Sequence, residues 1–576
     1  MSFLKSILAS IIGFLIVALI LVLIGFGIIA KIASNRATVV EENSILQLDF
    51  SDSIKDYIPT DPNPLSELLP IENQIGFNQL IKAIKRAQLD PKIKGISISD
   101  IPYNIGWAQI TELRNQLKHF KSSGKKIWAY KDFFTQKDYY LASVANTVTM
   151  SPVGKVELNG LHSEVLFFKD FQEKFGVKME IIRHGKYKSA VEPFIANKMS
   201  DANRYQINQL IQSLWKQITF DIQNSRNINT YKIANNLLGE LPKSALENGL
   251  IDTLSYEDDY EKHIKKSIGS NITFVSVKDY IQNDLNIVLD NNTSKVAIIY
   301  AQGDIIYGEG NPEFIGQELI NEAFAEAVKD DKIKAIVLRI NSPGGSALAS
   351  DLIWNAIEKA KKEKPVVVTM GNLAASGGYY IACNADHIFA EPTTITGSIG
   401  VFGMLPNVSE FANKNGIRSE IVSTHNNNSN YSVVQPINTQ FKSTVTKSVE
   451  FIYDTFLERV AKGRNLNVTT VDSLAQGRVW TGIQARDNGL VDKLGGLDDA
   501  IFYAVSLAKI SEYTIEEFPK YKMDFKDLLL SSPFLSTFNH KTASSTNQLL
   551  NKLKQLEKVL QMEGIQTRVP FDIVVE

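Results

Sequence analysis

The chain carries an internal repeat that keeps one register. Three separate segments recur 240 residues further along the chain. Chance similarity would not keep a single offset between residues 90 and 252, so two copies of one fold are predicted. We expect the copies to span residues 44–265 and 293–510, followed by a C-terminal extension, 515–576. The paired segments are 90–96 with 330–336, 139–142 with 379–382, and 248–252 with 488–492.

The apolar pattern of each copy predicts strands that alternate with helices. In the second copy, β-branched runs typical of buried strands alternate with segments of helical periodicity. This spacing implies βαβ crossovers and a mostly parallel sheet, an α/β fold. Ligand sites in such folds lie at the loops that leave the carboxyl ends of the strands. The predicted strands are 296–300, 335–340 and 366–370, and the predicted helices are 316–329 and 348–362.

The amino terminus is predicted to be a transmembrane anchor within residues 1–35. Residues 6–30 contain no charged side chain. As a helix, this run exceeds the ~30 Å hydrocarbon core of a bilayer. A cleavable signal peptide has an apolar region of only about 7–15 residues, so an unusually long signal peptide is the weaker alternative. Basic residues flank both ends, which leaves the orientation almost undetermined. No later segment is long and apolar enough to span, so the rest of the chain should lie on one side.

Charge and cysteine content narrow the function classes. The net charge of −2 gives no reason to expect a nucleic-acid partner. The single cysteine, Cys383, excludes an intrachain disulfide and is expected in the core. The sequence contains neither a metal-ligand cluster nor a phosphate-binding glycine loop, so no metal or organic cofactor is predicted.

Two motifs in the second copy point to nucleophilic catalysis. Residues 341–346 read NSPGGS directly after a predicted strand, and the pair Gly344 and Gly345 lets the backbone approach a ligand closely. Residues 374–380 read AASGGYY after the next strand. There, Ser376 has the small neighbours that an exposed nucleophile needs, and the N–H of Gly377 can stabilise an oxyanion. Taken alone, the Pro-Gly-Gly is more typical of a structural turn, and the serine motif is equally consistent with a packing serine at a tight turn.

The first copy lacks these features. At the register of Ser376 it has Gln136, and the glycine pair is absent. None of the seven histidines carries a motif that pairs it with the serine. His387 begins an apparent strand and is interpreted as structural.

A lysine of the first copy is the better candidate for the base. Lys188 lies in GKYKSAVEPF, residues 185–194, where apolar neighbours could form a pocket. Such burial lowers the pKa of a lysine and allows it to act as a neutral base. Lys186 is the less favoured rival. The second copy has Asn428 at the register of Lys188, so each copy keeps what the other has lost. This complementary loss predicts one composite site.

These motifs resemble the long, duplicated form of signal peptide peptidase A, also called protease IV. The resemblance extends from the anchor to about residue 510. It rests on residues 342–346, 375–379, 187–194 and 396–403 (TGSIGVFG). It implies a fold of the Clp-protease/crotonase type with repeated ββα units. It also implies that Ser376 is the nucleophile, that Lys188 is the general base and that the Ser398 hydroxyl orients the lysine amine.

The resemblance also implies a substrate class, a cellular location and an oligomeric state. It implies an endopeptidase that degrades cleaved signal peptides on the exported, periplasmic face of the bacterial inner membrane. It also implies a ring- or bowl-shaped homo-oligomer, with a homotetramer favoured. Expected partners are therefore peptide substrates such as signal-peptide remnants, membrane lipid around the anchor, and further copies of the chain. A crotonase-type acyl-CoA enzyme and an inactive membrane scaffold are the alternatives.

The C-terminal extension gives weaker signals. Residues 547–562 show the apolar spacing of a helical face, and residues 569–575 suggest a short strand or docking segment. No role follows from either.

Overall fold

A computed structural model provides the coordinates of the chain. It describes residues 40–50, 53–59, 75–102, 104–269, 272–282, 293–425, 431–521 and 565–568, with residues 7, 13–17, 19 and 20 of the amino terminus. The predicted anchor therefore lies almost wholly outside the described residues. Within the described parts of the chain, no helix has the length and apolar character needed to cross a bilayer.

The strands, in chain order, are β1 (Ser44–Leu48), β2 (Ile93–Ile98), β3 (Lys126–Lys131), β4 (Thr147–Met150), β5 (Lys178–Arg183), β6 (Thr253–Leu254), β7 (Thr273–Ser276), β8 (Lys295–Gln302), β9 (Asp304–Ile306), β10 (Phe314–Gly316), β11 (Ile333–Ser342), β12 (Gly344–Ser346), β13 (Val366–Ala375), β14 (His387–Ala390), β15 (Ile395–Gly397), β16 (Phe402–Asn407), β17 (Val479–Thr481), β18 (Lys493–Leu494), β19 (Thr514–Phe518) and β20 (Ile565–Arg568).

The α-helices span Phe77–Leu89, Trp107–Ser122, Gln136–Ala142, Lys169–Phe175, Glu192–Ile195, Asp201–Arg226, Thr230–Asn235, Pro242–Glu247, Glu257–Ile268, Val277–Gln282, Gln317–Lys329, Ala347–Ala360, Gly377–Ala382, Ser409–Lys414, Thr439–Arg464, Val468–Leu474, Gly482–Asp487 and Leu497–Ala508. A 3-10 turn spans Ser189–Val191.

Each copy is built on its own largely parallel sheet. The first copy has the strand order β6-β4-β3-β2-β1-β7, and every pair in it is parallel. The second copy has the order β17-β15-β13-β11-β8-β19, with β14 and β18 alongside, and only β15 and β17 pair antiparallel. The predicted α/β architecture is confirmed, as are the strands and helices predicted for the second copy. β13 continues to Ala375, beyond the predicted end at residue 370, because its last residues pair with β15.

Equivalent hydrogen bonds repeat in the two copies. The Tyr139 hydroxyl donates to the carbonyl oxygen of Leu250 at 2.8 Å. The Tyr379 hydroxyl donates to that of Leu490 at the same distance. The duplication therefore extends to the buried polar contacts that fix the fold.

A third sheet joins the copies, in the order β10-β9-β12-β20-β16-β5. β5 belongs to the first copy and pairs antiparallel with β16 of the second, from Arg183 opposite Phe402 to Lys178 opposite Asn407. The segment that follows β5 consequently lies against the second copy. This is the feature of the fold that positions the candidate site.

Buried ions also connect the copies. Arg339, on β11 of the second copy, is 2% exposed and pairs with Asp56 at 3.0 Å and with Glu112 at 2.8 Å, both in the first copy. Removing one partner of such a buried network is costly, because it leaves an uncompensated charge. The two copies are thus held in one relative position by polar contacts as well as by packing.

The C-terminal extension takes part in two sheets. β19 adds to the second copy's sheet beside β8, and β20 joins the third sheet. The predicted helix at 547–562 and the predicted segment at 569–575 lie outside the described residues.

Candidate active site

Ser376 lies at a tight junction between a strand and a helix. β13 ends at Ala375 and the next helix begins at Gly377, so the serine alone makes the turn. Its φ of +55° and ψ of −114° are unfavourable for a residue with a side chain, at a cost of about 1–3 kcal/mol. Its amide donates to the carbonyl oxygen of Gly397 at 2.8 Å. The surrounding structure therefore maintains a strained conformation, as it does for nucleophiles at such turns.

Lys188 meets this serine from the other copy. It follows β5 and precedes the 3-10 turn Ser189–Val191. Its Nζ lies 2.8 Å from Ser376 Oγ. The same amine lies 3.1 Å from both the carbonyl oxygen and the hydroxyl of Ser398. The structure thus brings together the three side chains that the sequence predicted for nucleophile, base and orienting hydroxyl.

The surroundings of Lys188 favour the uncharged amine. The side chain is fully buried, beside an apolar cluster that includes the Phe402 ring, 6.0 Å from Nζ. Among the described residues no carboxylate forms an ion pair with it. Burial alone therefore holds the pKa of Lys188 well below its ordinary value. The other members of the cluster are Met179, Ala190, Val191, Phe194 and Met404.

A hydrogen bond also holds Ser398 in a strained backbone conformation. Ser398 has a φ of +51°, and its amide donates to the carbonyl oxygen of Arg478 at 2.7 Å. Its carbonyl and hydroxyl oxygens can both accept hydrogen bonds from the Lys188 amine. Both oxygens lie 3.1 Å from the amine that contacts Ser376.

The second copy also holds the loop that carries Lys188. The amide of Tyr187 donates to the carbonyl oxygen of Gln476 at 2.8 Å. The Gln206 side chain donates to the carbonyl oxygen of Tyr187 at 3.0 Å and accepts from the Val479 amide at 3.4 Å. Sequence reasoning missed these positioning residues, because no local motif marks them.

Gly477 lies directly against the backbone of Lys188. It has a φ of +80°, and a Cβ built there would lie 2.6 Å from the backbone nitrogen, Cα and Cβ of Lys188. Such a contact cannot be relieved by moving a flexible side chain. Glycine is therefore required at this position for two reasons, its conformation and the space that it leaves.

We predict that Gly477→Ala lowers kcat for peptide cleavage at least tenfold without unfolding the protein. The added methyl group must displace the Lys188 backbone, and a shift of about 1 Å at a catalytic group can cost roughly 100-fold in rate. Gly489→Ala is the matched control, because Gly489 has a φ of +78° but no neighbour within 4 Å of the added Cβ. Equal losses in the two variants would show that backbone strain, not contact with Lys188, is responsible.

The predicted oxyanion glycines lie beside Ser376. A Cβ built on Gly344, whose φ is +101°, would lie 2.6 Å from the Gly377 amide nitrogen. The Gly344 amide donates to Ser342 Oγ at 3.1 Å. Gly345 packs against β9, where a Cβ would lie 2.1 Å from the carbonyl oxygen of Ile305. Gly377 thus lies beside Gly344, while Gly345 lies against Ile305 of β9.

The rival residues lie elsewhere or make other contacts. Lys186 is exposed, with its amine 5.0 Å from the Tyr187 ring. His387 packs against Phe389 and Tyr503, with ring centroids 4.7 and 4.1 Å apart. Gln136 exchanges two hydrogen bonds with the backbone of Gly160 in place of a catalytic contact. Asn428 lies outside the described residues.

A strained serine whose hydroxyl contacts a buried lysine amine, with no histidine hydrogen-bonded to that hydroxyl among the described residues, is compatible with a serine hydrolase. The family model of Peptidase family S49 matches the chain twice, over residues 119–271 and 358–511. That of the Clp protease family matches residues 290–395. The chain belongs to peptidase family S49 and is a serine protease.

Individual relatives agree with this assignment. The chain is 35% identical to Protease 4 of Haemophilus influenzae over 485 residues, 80% of this chain and 78% of that one. It is 30% identical to the chloroplastic serine protease SPPA of Arabidopsis thaliana, over 85% of this chain and 73% of that one. It is 36% identical to the putative signal peptide peptidase SppA of Enterococcus faecium, over 33% of this chain and 56% of that one. The first two relatives therefore match most of the chain.

Proposed function

We propose that the protein is an endopeptidase that uses Ser376 and Lys188 as a catalytic dyad. The observation that carries the proposal is the 2.8 Å contact between Ser376 Oγ and a fully buried lysine amine. An uncharged amine at this distance can accept the hydroxyl proton as the oxygen attacks a scissile carbonyl. No other titratable group forms a hydrogen bond with Ser376 Oγ among the described residues.

The remaining steps use the same groups. The oxyanion of the tetrahedral intermediate is held by the Gly377 amide and by that of Gly344 or Gly345. As the scissile C–N bond breaks, the protonated Lys188 gives its proton to the leaving amine, and the acyl part of the substrate is left as an ester on Ser376. Water then attacks the ester while Lys188 accepts its proton. The ester C–O bond breaks, Lys188 returns the proton to the Ser376 oxygen, and the acid product is released. The Ser398 hydroxyl keeps the amine directed at the serine throughout.

The substrates we propose are apolar peptides, cleaved signal peptides in particular. The name of the Enterococcus faecium relative, a putative signal peptide peptidase, supports this choice. The uncharged run at residues 6–30 supports a membrane anchor. We place the catalytic body on the exported face of a bacterial inner membrane, as a homo-oligomer in which a tetramer is favoured.

The test uses the purified full-length protein in detergent. A serine-directed fluorophosphonate should label Ser376, as located by peptide mass spectrometry, and the protein should cleave a synthetic signal peptide. A charged, polar peptide of equal length is the control and should be cleaved at least tenfold more slowly. If Ser376 remains unlabelled and no peptide is cleaved, the proposed mechanism is wrong.

A further inference from the structure

The chain's own C-terminal strand lies across the active site. β20 is antiparallel to both of its neighbours in the third sheet, β12 on one side and β16 on the other. Thr567 is opposite Gly345, and Gln566 is opposite Phe402. β12 carries the glycine pair, and Phe402 of β16 contributes to the Lys188 pocket. The strand therefore fills a slot with catalytic groups on both sides.

The backbone of this strand reaches the oxyanion glycines. The Cβ built on Gly344 would lie 2.0 Å from the carbonyl oxygen of Thr567 and 2.6 Å from the Gly377 amide nitrogen. A Cβ built on Gly377 would lie 3.0 Å from the same carbonyl oxygen. One carbonyl group of β20 thus lies beside both glycines that face the nucleophile. A substrate carbonyl must reach this same place before Ser376 can attack it.

Side chains of the strand fit the slot. Thr567 is fully buried, and its hydroxyl donates to the carbonyl oxygen of Gly345 at 3.2 Å. Gln566 is buried as well. Arg568 forms an ion pair with Asp304 of β9 at 3.0 Å. The slot therefore accepts a small residue at the reacting carbonyl and a basic residue directly after it.

The catalytic groups are closed to solvent in this arrangement. Ser376, Lys188 and Ser398 all have 0% exposure. A nucleophile that attacks peptides must be reachable by an extended chain. Extended peptides commonly bind by adding a strand to an available edge, with main-chain hydrogen bonds for affinity and side-chain pockets for specificity. Here the edges of β12 and β16 are already paired with β20.

We propose that residues 565–568 act as an intramolecular substrate mimic. They block the slot between β12 and β16, which is the groove where a substrate peptide binds. A substrate peptide binds as the antiparallel strand between β12 and β16 once β20 has left. This inference rests on the proposed function, since it names how substrate reaches that site and what regulates access. Competition with the tethered strand raises the apparent KM and leaves the chemistry at Ser376 unchanged.

Three forms of the protein that differ only at the carboxyl end test the proposal. One is intact, one ends at Arg568 and keeps the strand, and one ends at Gly564 and lacks it. With a fluorogenic apolar peptide, the form ending at Gly564 should show kcat/KM at least tenfold higher, mainly through KM. The form ending at Arg568 is the matched control and should behave as the intact chain does. Thr567→Lys in the intact chain, which places a long charged side chain at a fully buried position, should reproduce the gain without shortening the chain.

Binding of the strand itself gives a readout that needs no catalysis. A fluorescent peptide with the sequence of residues 562–571 should bind the form ending at Gly564 and compete with substrate, but bind the intact form at least tenfold more weakly. The proposal is overturned if removing the strand and Thr567→Lys both leave KM unchanged or reduce activity while Ser376 still reacts with the fluorophosphonate. Absence of labelling in every form would instead refute the dyad, and peptide binding would then decide alone whether the groove is occupied.

Discussion

Lys188→Met is expected to abolish peptide cleavage. Methionine keeps most of the length of the side chain but supplies no proton acceptor to Ser376 Oγ, which now lies 2.8 Å from the amine. Loss of one member of a catalytic unit that acts together lowers kcat by roughly 10⁴-fold or more. The measurement is the single-turnover rate of peptide cleavage, followed by the masses of the products.

The fold should survive this substitution. Lys188 forms no ion pair among the described residues, and it lies beside the apolar cluster of Met179, Phe194 and Phe402. Replacing a buried amine by an apolar side chain removes a desolvation cost, so the melting temperature should stay the same or rise. Lys186→Met is the matched control, since that lysine is exposed and two residues away. Cleavage by Lys188→Met at the rate of the unchanged protein would refute the dyad.

Ser376→Ala should be at least as damaging, because it removes the atom that attacks the substrate. We expect a loss of about 10⁵-fold in kcat, and no further loss when Lys188→Met is added, since the two side chains act as one unit. Rates for both single variants and the double variant measure this non-additivity.

A neighbouring serine serves as the control. Ser350 is also fully buried near Gly377, but its hydroxyl donates to the carbonyl oxygen of Ser346. Ser350→Ala should cost less than tenfold. If the losses of Ser376→Ala and Lys188→Met simply multiplied in the double variant, the two residues would not work through one proton transfer.

The composite site could be predicted because the duplication left opposite losses in the two copies. Gln136 replaces the serine in one copy and Asn428 replaces the lysine in the other. A constant offset of 240 residues makes these substitutions comparable, and the resemblance supplied the roles. The structure places Lys188 and Ser376 in contact, whereas their catalytic roles and those of the glycines stay predictions.

The means of bringing the copies together could not be predicted from local pattern. The antiparallel pairing of β5 with β16 joins residues more than 200 positions apart, and periodicity reports only on each segment by itself. The importance of Gly477 could not be predicted either, because a single glycine after Gln476 is typical of an ordinary turn. Its closeness to the Lys188 backbone is visible only in three dimensions.

The C-terminal strand shows the same limit more strongly. Its four residues carry no apolar alternation, and its stability comes from two neighbouring strands that lie far away in the sequence. The sequence suggested a docking segment only at residues 569–575, just beyond the strand that the structure shows. The strand propensity of a residue reflects how well it packs against the surface of neighbouring strands. Here those neighbouring strands come from other parts of the chain, so the local sequence does not reveal the strand.

The central claim is that an uncharged Lys188 activates Ser376, and the pH dependence of serine acylation tests it most directly. Rates of Ser376 labelling by the fluorophosphonate should be measured across pH for the unchanged protein and for Lys188→Met. A protonated Lys188 cannot accept the proton of Ser376. The labelling rate should therefore fall as the pH drops through the lowered pKa of Lys188. We predict a rising limb well below the ordinary pKa of lysine, and its disappearance in Lys188→Met. The same limb in both proteins would contradict the account.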